Sequence, residues 1–135
     1  MRWAVFAGIF FAQVLLTAPS FSATCRRSEE LGTKALYLAH HAFDVYLFWA
    51  FLFLTRRVEF VAHIAIAVLV GIHWFMYDNK CIATVEMNRQ CGYAEEEWLD
   101  SLKNRLGLRV VIGDNFHFMW IGAVIAWEVW RLAAA

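Results

Sequence analysis

Residues 36–54 of the chain read LYLAHHAFDVYLFWAFLFL, a run of 19 residues in which only His40, His41 and Asp44 are imidazole or charged side chains. At about 1.5 Å of rise per residue, a helix of this length crosses a hydrocarbon core of roughly 30 Å. Backbone polar groups in hydrocarbon must be satisfied internally, and the run is too long and continuous for a barrel strand. The run therefore predicts a transmembrane helix.

Two further apolar runs follow, at residues 60–77 and 115–132. Only Thr55-Arg56-Arg57-Val58-Glu59 separates the first of them from 36–54, so those two helices must be antiparallel neighbours. The composition is 61% hydrophobic with zero formal net charge, and no basic stripe interleaved with aromatics suggests nucleic acid. Residues 24–135 are thus predicted to form a single all-α transmembrane domain that contacts the lipid bilayer.

Residues 1–23 allow two interpretations. Arg2, the apolar segment Trp3–Leu16 and the small-residue tail that follows it are typical of a secretory signal peptide. Ser20 and Ser22 suit the −3 and −1 positions for cleavage after Ser22. Alternatively, the run stays in the protein as a first transmembrane helix, which would give four spans rather than three.

The polar stretch 78–113 contains a segment, residues 94–106, with the leucine spacing of an amphipathic helix. Such a helix could lie in the membrane interface or over the mouth of the bundle. Arg2, Arg56, Arg57 and Arg131 fall on the opposite side of the membrane from this stretch. Eight basic residues fall on the same side as this stretch, so a raw count would give the inverse orientation. Five of the eight lie in the long loop, and the charge rule applies best to short loops, so we expect those arginines to be cytoplasmic and the long loop to be extracytoplasmic or lumenal.

All three cysteines, Cys25, Cys81 and Cys91, fall on the side expected to face outward. Outside a reducing cytosol, Cys81 and Cys91 could close a small loop as a disulfide, which leaves Cys25 unpaired or bonded to a partner. Three free thiols are the alternative. The spacing fits neither a thioredoxin-like exchange motif nor a standard zinc finger.

Ionisable side chains occur near one end of each of the three runs, where they would share one membrane face. They are His40, His41, Asp44, His73, Asp114 and His117. Five of them, all except His41, could bind a divalent metal as a group, and His40, His73 and His117 could alternatively ligate haem or a chlorophyll-type pigment. Such side chains can equally be hydrated or hydrogen-bonded between helices.

Two further ionisable residues, His63 and Glu128, lie near the opposite membrane face. They are predicted to pair between the second and third of these spans. A pair at this depth more often fixes helix packing than forms a site. A transmembrane two-haem path would need histidine pairs at both faces, and this face offers His63 alone.

One resemblance joins several of these residues. The order His63, His73-Trp74, Cys81-Ile82-Ala83-Thr84-Val85-Glu86 and His117 resembles a family of small, uncharacterised multi-pass integral membrane proteins. The similarity covers residues 36 to about 120, and Ile82 and Val85 replace prolines that are usual in the family. The resemblance implies a multi-pass helical architecture and no particular activity.

Three functions remain open from the sequence. Short spans with twelve Phe and seven Trp favour a non-catalytic accessory or structural subunit that packs against other membrane proteins. The first alternative is a metal- or haem-binding membrane protein, such as an oxidoreductase, that uses the His/Asp cluster. The second is a transporter component, although the chain has no evident inverted repeat. No residue is identified as catalytic.

Overall fold

The protein is an all-α bundle. The computed structural model describes residues 2–77, 81–92 and 116–134, and these contain five α-helices and no strand. The helices are α1 (Arg2–Thr24), α2 (Leu31–Trp49), α3 (Arg57–Met76), α4 (Ile82–Cys91) and α5 (Phe116–Ala134). A short 3₁₀ turn, Ala50–Leu52, extends α2. The predicted interfacial helix at 94–106 lies outside the described residues.

Three of the described helices are long and apolar enough to cross a membrane. They are Arg2–Thr24, Leu31–Leu52 and Arg57–Met76. The first corresponds to the N-terminal run and the other two to the predicted spans 36–54 and 60–77. Helix α5 coincides with the predicted run 115–132 and has 19 residues, but it is not among these three helices. Its role as a span stays a prediction.

The two central helices begin earlier than predicted because polar side chains at their starts have partners. In α2, Thr33 donates to Gln90 Oε1 at 2.9 Å and Lys34 pairs with Glu29 at 2.7 Å. At the start of α3, the Glu59 carboxylate accepts from the backbone N–H groups of Thr55 and Arg56, at 2.9 and 3.0 Å. This capping interaction satisfies amides that precede the first turn, so the helix starts at Arg57.

The helices run up and down, and α2 lies at the centre. Helix α2 packs against α1, α4 and α5, and α3 packs against α5. Arg2 donates to Glu59 at 3.2 Å, and Arg57 donates to the Leu132 carbonyl oxygen at 2.9 Å. These contacts bring the starts of α1 and α3 and the end of α5 together, and we call this the Arg2 end. The opposite end, which holds Cys25 and α4, is the Cys25 end.

The interior is built around α2, where the side chains of Val45, Leu47 and Ala50 have no exposed surface. Several large apolar side chains point outward from the other helices. Leu15 on α1 is 73% exposed, Phe75 on α3 is 85% exposed and Met119 on α5 is 74% exposed. Lipid or another membrane protein is the environment that such an apolar outer surface requires.

The disulfide prediction is wrong. Cys25 is bonded to Cys91, and Cys81 is a free, partly exposed thiol. Cys81 and Cys91 sit at the two ends of α4, a ten-residue helix whose rise separates them by roughly 15 Å. A disulfide needs Cα atoms within about 7 Å, so the helix prevents the predicted link. The observed bond instead fastens α4 to the turn between α1 and α2.

Candidate functional site

A stripe of polar side chains runs along the buried face of α2. It consists of Thr33, Tyr37, His40, His41 and Asp44, and all five residues are buried. Their spacing of three and four residues places them on neighbouring turns of one helix side. Part of the stripe faces α1 and the rest faces α4.

Towards α1, the stripe is held by Thr17, which is 3% exposed. The Thr17 hydroxyl forms a hydrogen bond with the Tyr37 hydroxyl and lies 2.9 Å from His41 Nε2. It also lies 2.9 Å from the carbonyl oxygen of Gln13, one turn earlier in α1. A single threonine therefore connects two side chains of α2 to the backbone of α1.

Towards α4, the stripe is held by Thr84 and Gln90. The Thr84 hydroxyl lies 3.3 Å from His40 Nε2, and Thr33 bonds Gln90 as described above. His40 Nε2 is 3.8 Å from Asp44 Oδ2, which exceeds hydrogen-bond distance. His40 is thus engaged with α4 more closely than with the carboxylate on its own helix.

Outside the spans, α4 carries its own ion pair. Arg89 donates to both carboxylate oxygens of Glu86, at 2.6 and 2.7 Å, and Gln90 donates to Glu86 at 2.7 Å. These hydrogen bonds, with that of Arg89 the larger cause, lower the pKa of Glu86 to about 2. Gln90 therefore links the buried Thr33 to a carboxylate that stays charged across the physiological pH range.

Towards the Arg2 end, His63 and Glu128 form the predicted pair, and this prediction is confirmed. His63 Nδ1 lies 2.8 Å from Glu128 Oε2, and neither side chain is exposed. His63 Nε2 lies 3.3 Å from the Leu47 carbonyl oxygen. Both ring nitrogens of the buried His63 therefore have a polar partner, one on α5 and one on α2.

His117 contacts an aromatic ring, and its partner follows from the register between α3 and α5. Because α3 and α5 are antiparallel, residues at equal sequence distances from the His63–Glu128 pair lie opposite each other. Trp74 follows His63 by the same number of residues as His117 precedes Glu128. The rings of Trp74 and His117 meet edge to face, with centroids 4.9 Å apart.

At 3.6 residues per turn, Trp74 lies within about 20° of His63 around α3, whereas His73 lies about 80° away. His73 instead stacks on Tyr77, one turn later in the same chain segment.

The structure brings together part of the predicted metal or haem cluster. His40 and Asp44 are adjacent, while His73 and His117 contact aromatic rings. Within residues 2–77, 81–92 and 116–134, no three His, Cys, Asp or Glu side chains form a group that could hold a metal ion. Asp114 lies outside the described residues, so the complete five-residue site stays a prediction.

Sequence reasoning missed the threonines that engage the histidines. Thr17 opens the small-residue tail of the segment that is interpreted as a signal peptide or first span, and Thr84 lies in the loop between spans. A usable signal was the spacing of Thr33, Tyr37 and His41, which marks one polar side of α2 that neighbouring helices must satisfy.

Comparisons with protein-family models, with curated proteins and with solved structures gave no match for this chain. The resemblance of the segment from Cys81 to Glu86 to a membrane protein family therefore stays a prediction. The function is argued from the geometry of the bundle.

Proposed function

We propose that this chain is a non-catalytic subunit of a larger membrane assembly, inserted with its Cys25 end on the extracytoplasmic side. One observation carries the proposal. Each of the three buried histidines contacts a different neighbouring helix: His40 meets Thr84 of α4, His41 meets Thr17 of α1, and His63 meets Glu128 of α5. The histidines therefore tie helices together instead of converging on one ligand.

The outward surface supports the same function. Leu69 and Ile72 lie on α3 with Phe75, and these three side chains are 66%, 52% and 85% exposed. The buried residues of α3, which include His63, Ala67 and Trp74, occupy the opposite side of the helix. A helix with one side satisfied inside the chain and bulky apolar groups on the other can pack against a further membrane protein by van der Waals contact.

Charge and covalent structure support the proposed orientation. Four arginines, Arg2, Arg56, Arg57 and Arg131, lie at the Arg2 end, which is expected to remain in the cytoplasm. Disulfides persist in oxidising compartments, and the Cys25–Cys91 bond lies at the other end. Both features favour the same insertion.

The contacts of α1 support its retention as a transmembrane helix in the mature protein. Thr17 and Phe21 are buried against the rest of the chain, and the Phe21 ring stacks on Tyr37 with centroids 4.2 Å apart. Removal of residues 1–22 would leave Tyr37 and His41 without these partners. The intact mass of protein purified from its native membrane should therefore include α1, whereas a new terminus at Ala23 would reject its retention.

The subunit proposal is tested by photo-crosslinking in native membranes. A benzophenone amino acid replaces one exposed residue on each of three helices, at Leu16, Phe75 and Met119. We expect at least one position to give a single protein adduct of defined mass in high yield, while the other positions give lipid adducts. Substitution of Val85 on α4, which is 47% exposed and outside the predicted spans, serves as the control position.

Lipid adducts alone at all three helix positions would overturn the proposal. Adducts whose mass corresponds to two copies of this chain would also overturn it, because they identify a homo-oligomer and no larger assembly. A band that requires illumination and still forms in membranes washed at high salt before illumination would support it, since apolar packing is insensitive to ionic strength.

A further inference from the structure

The Arg2 end carries arginines that no carboxylate among the described residues contacts. Arg2 donates to both Glu59 oxygens at 3.2 Å and forms an ion pair with that carboxylate. Glu128, the other carboxylate in this half of the bundle, is fully buried with His63. Arg56, Arg57 and Arg131 are exposed, and none lies within ion-pair distance of a carboxylate among the described residues. Arg56 interacts with Glu59 only at longer range.

Two of these arginines are held in place by neutral groups. Arg57 donates to the carbonyl oxygen of Leu132, which brings the start of α3 against the end of α5. The Arg131 guanidinium lies 5.3 Å from the centroid of the Trp127 ring, a cation–π distance. Neither contact neutralises the positive charge, and both restrict the position of the guanidinium group.

The same end has the aromatic side chains of a membrane interface. Trp130 is 62% exposed beside Arg131, and Trp3 is 63% exposed beside Arg2. Exposed tryptophans at helix ends are enriched at the headgroup level of bilayers. The three free guanidiniums therefore lie at the depth where lipid phosphates are found.

We propose that Arg56, Arg57 and Arg131 form a binding site for the phosphodiester headgroup of an anionic glycerophospholipid. Guanidinium groups donate in a planar fork that matches phosphate oxygens. The exposed apolar surface of α3, which begins at Val58 with 71% exposure, is available to the acyl chains of the same lipid. A lipid, unlike a soluble phosphate, uses both the charged and the apolar parts of this surface.

The Cys25 end differs in a way that supplies a matched control. Its exposed Arg27 and Arg89 each form an ion pair, with Glu30 at 3.1 Å and with Glu86 at 2.6 Å. The double variant Arg56→Gln/Arg131→Gln removes two unpaired charges and leaves the Arg57–Leu132 contact intact. The double variant Arg27→Gln/Arg89→Gln removes the same formal charge from groups that already have partners.

The test uses native mass spectrometry of the purified full chain in a non-ionic detergent, titrated with dioleoyl-phosphatidylglycerol or with dioleoyl-phosphatidylcholine. We expect the wild-type chain to bind phosphatidylglycerol about a hundredfold more tightly than phosphatidylcholine, because each arginine near an anionic surface contributes about fivefold. Arg56→Gln/Arg131→Gln should lower that preference about 25-fold and leave the contribution of Arg57. Arg27→Gln/Arg89→Gln should retain the preference, whereas Arg56→Lys/Arg131→Lys, which keeps the charge and loses the planar fork, should retain only part of it.

Equal affinities of the wild-type chain for the two lipids would overturn the proposal, as would equal losses in the two glutamine variants. Competition with sodium phosphate distinguishes a lipid headgroup from a soluble anion as the ligand. Complete displacement of phosphatidylglycerol by inorganic phosphate would identify a soluble anion site and overturn the lipid assignment. Thermal unfolding of each variant, measured alongside, establishes that a lost preference belongs to a folded chain.

Discussion

His63 and Glu128 form a hydrogen bond in the interior of the bundle. Nδ1 of the histidine lies 2.8 Å from Oε2 of the glutamate, and the other ring nitrogen lies 3.3 Å from the Leu47 carbonyl oxygen. Both side chains are fully buried, so the contact connects α3 to α5 away from solvent. This pair fixes the register of the two helices.

Removal of one member of this pair should destabilise the bundle strongly. Glu128→Leu leaves His63 Nδ1 buried without its partner, and we expect a loss of about 3 kcal/mol in the free energy of unfolding. Glu128→Gln should cost less, because the amide can donate to Nδ1. Unfolding in mixed micelles measures both values.

A double variant separates the interaction from simple loss of packing. His63→Leu/Glu128→Leu replaces the polar pair with apolar groups, which is often neutral or stabilising in a buried site. We therefore expect the double variant to be more stable than Glu128→Leu alone. Costs of the two single variants that add without coupling would contradict the pairing.

Thr17 should prove important for the docking of α1 onto α2. Thr17→Val keeps the shape of the side chain and removes the hydroxyl that engages Tyr37 and His41. The loss of hydrogen bonds to two buried side chains should cost about 1–3 kcal/mol. Ser22→Ala is the control, because the Ser22 side chain is exposed and its hydroxyl donates to the carbonyl oxygen of Pro19 within α1. Equal stability of the two variants would reject the proposed role of Thr17.

The disulfide should be found between Cys25 and Cys91 in peptides mapped without reduction, with Cys81 open to alkylation. The closed loop spans a sequence separation of 66, so the bond should stabilise the fold by about 4 kcal/mol. Cys25→Ser/Cys91→Ser should lower the unfolding temperature, and Cys81→Ser should leave it unchanged. A Cys81–Cys91 peptide in the native protein would contradict this structure.

The purified protein should contain neither haem nor a stoichiometric metal. His40 and His41 contact threonines, and His73 and His117 contact aromatic rings. Visible absorption and elemental analysis of protein purified without chelators measure both quantities. A Soret band or one bound metal per chain, lost in His40→Ala, would instead support the predicted cluster that includes Asp114.

Helices α2, α3 and α5 could be predicted from the sequence because apolar run length in a membrane determines them. Helix α4 was not predicted, because it lies in a polar stretch between the runs. The His63–Glu128 pair could be predicted as well, since both residues lie at similar depth on antiparallel neighbours. Depth alone was not sufficient for His73. The rotation of α3 about its axis turns Trp74, and not His73, towards the interior. Residue depth in the membrane does not determine this rotation.

The disulfide could not be predicted from sequence distance. Cys81 and Cys91 are close in the chain, but the helix between them holds them apart, whereas Cys25 is distant in the chain and close in space. The partners of the histidines were missed for a related reason. Thr17 and Thr84 reach α2 from segments whose packing depends on the tertiary arrangement.

The central claim, that this chain works as a subunit of a larger membrane assembly, is tested most directly by the mass of the native particle. Native mass spectrometry of tagged protein released gently from its own membrane gives that mass. The account predicts a particle that contains the 15.6 kDa chain and at least one different membrane protein in fixed ratio. A particle that contains this chain alone, as a monomer or as several copies, would contradict it.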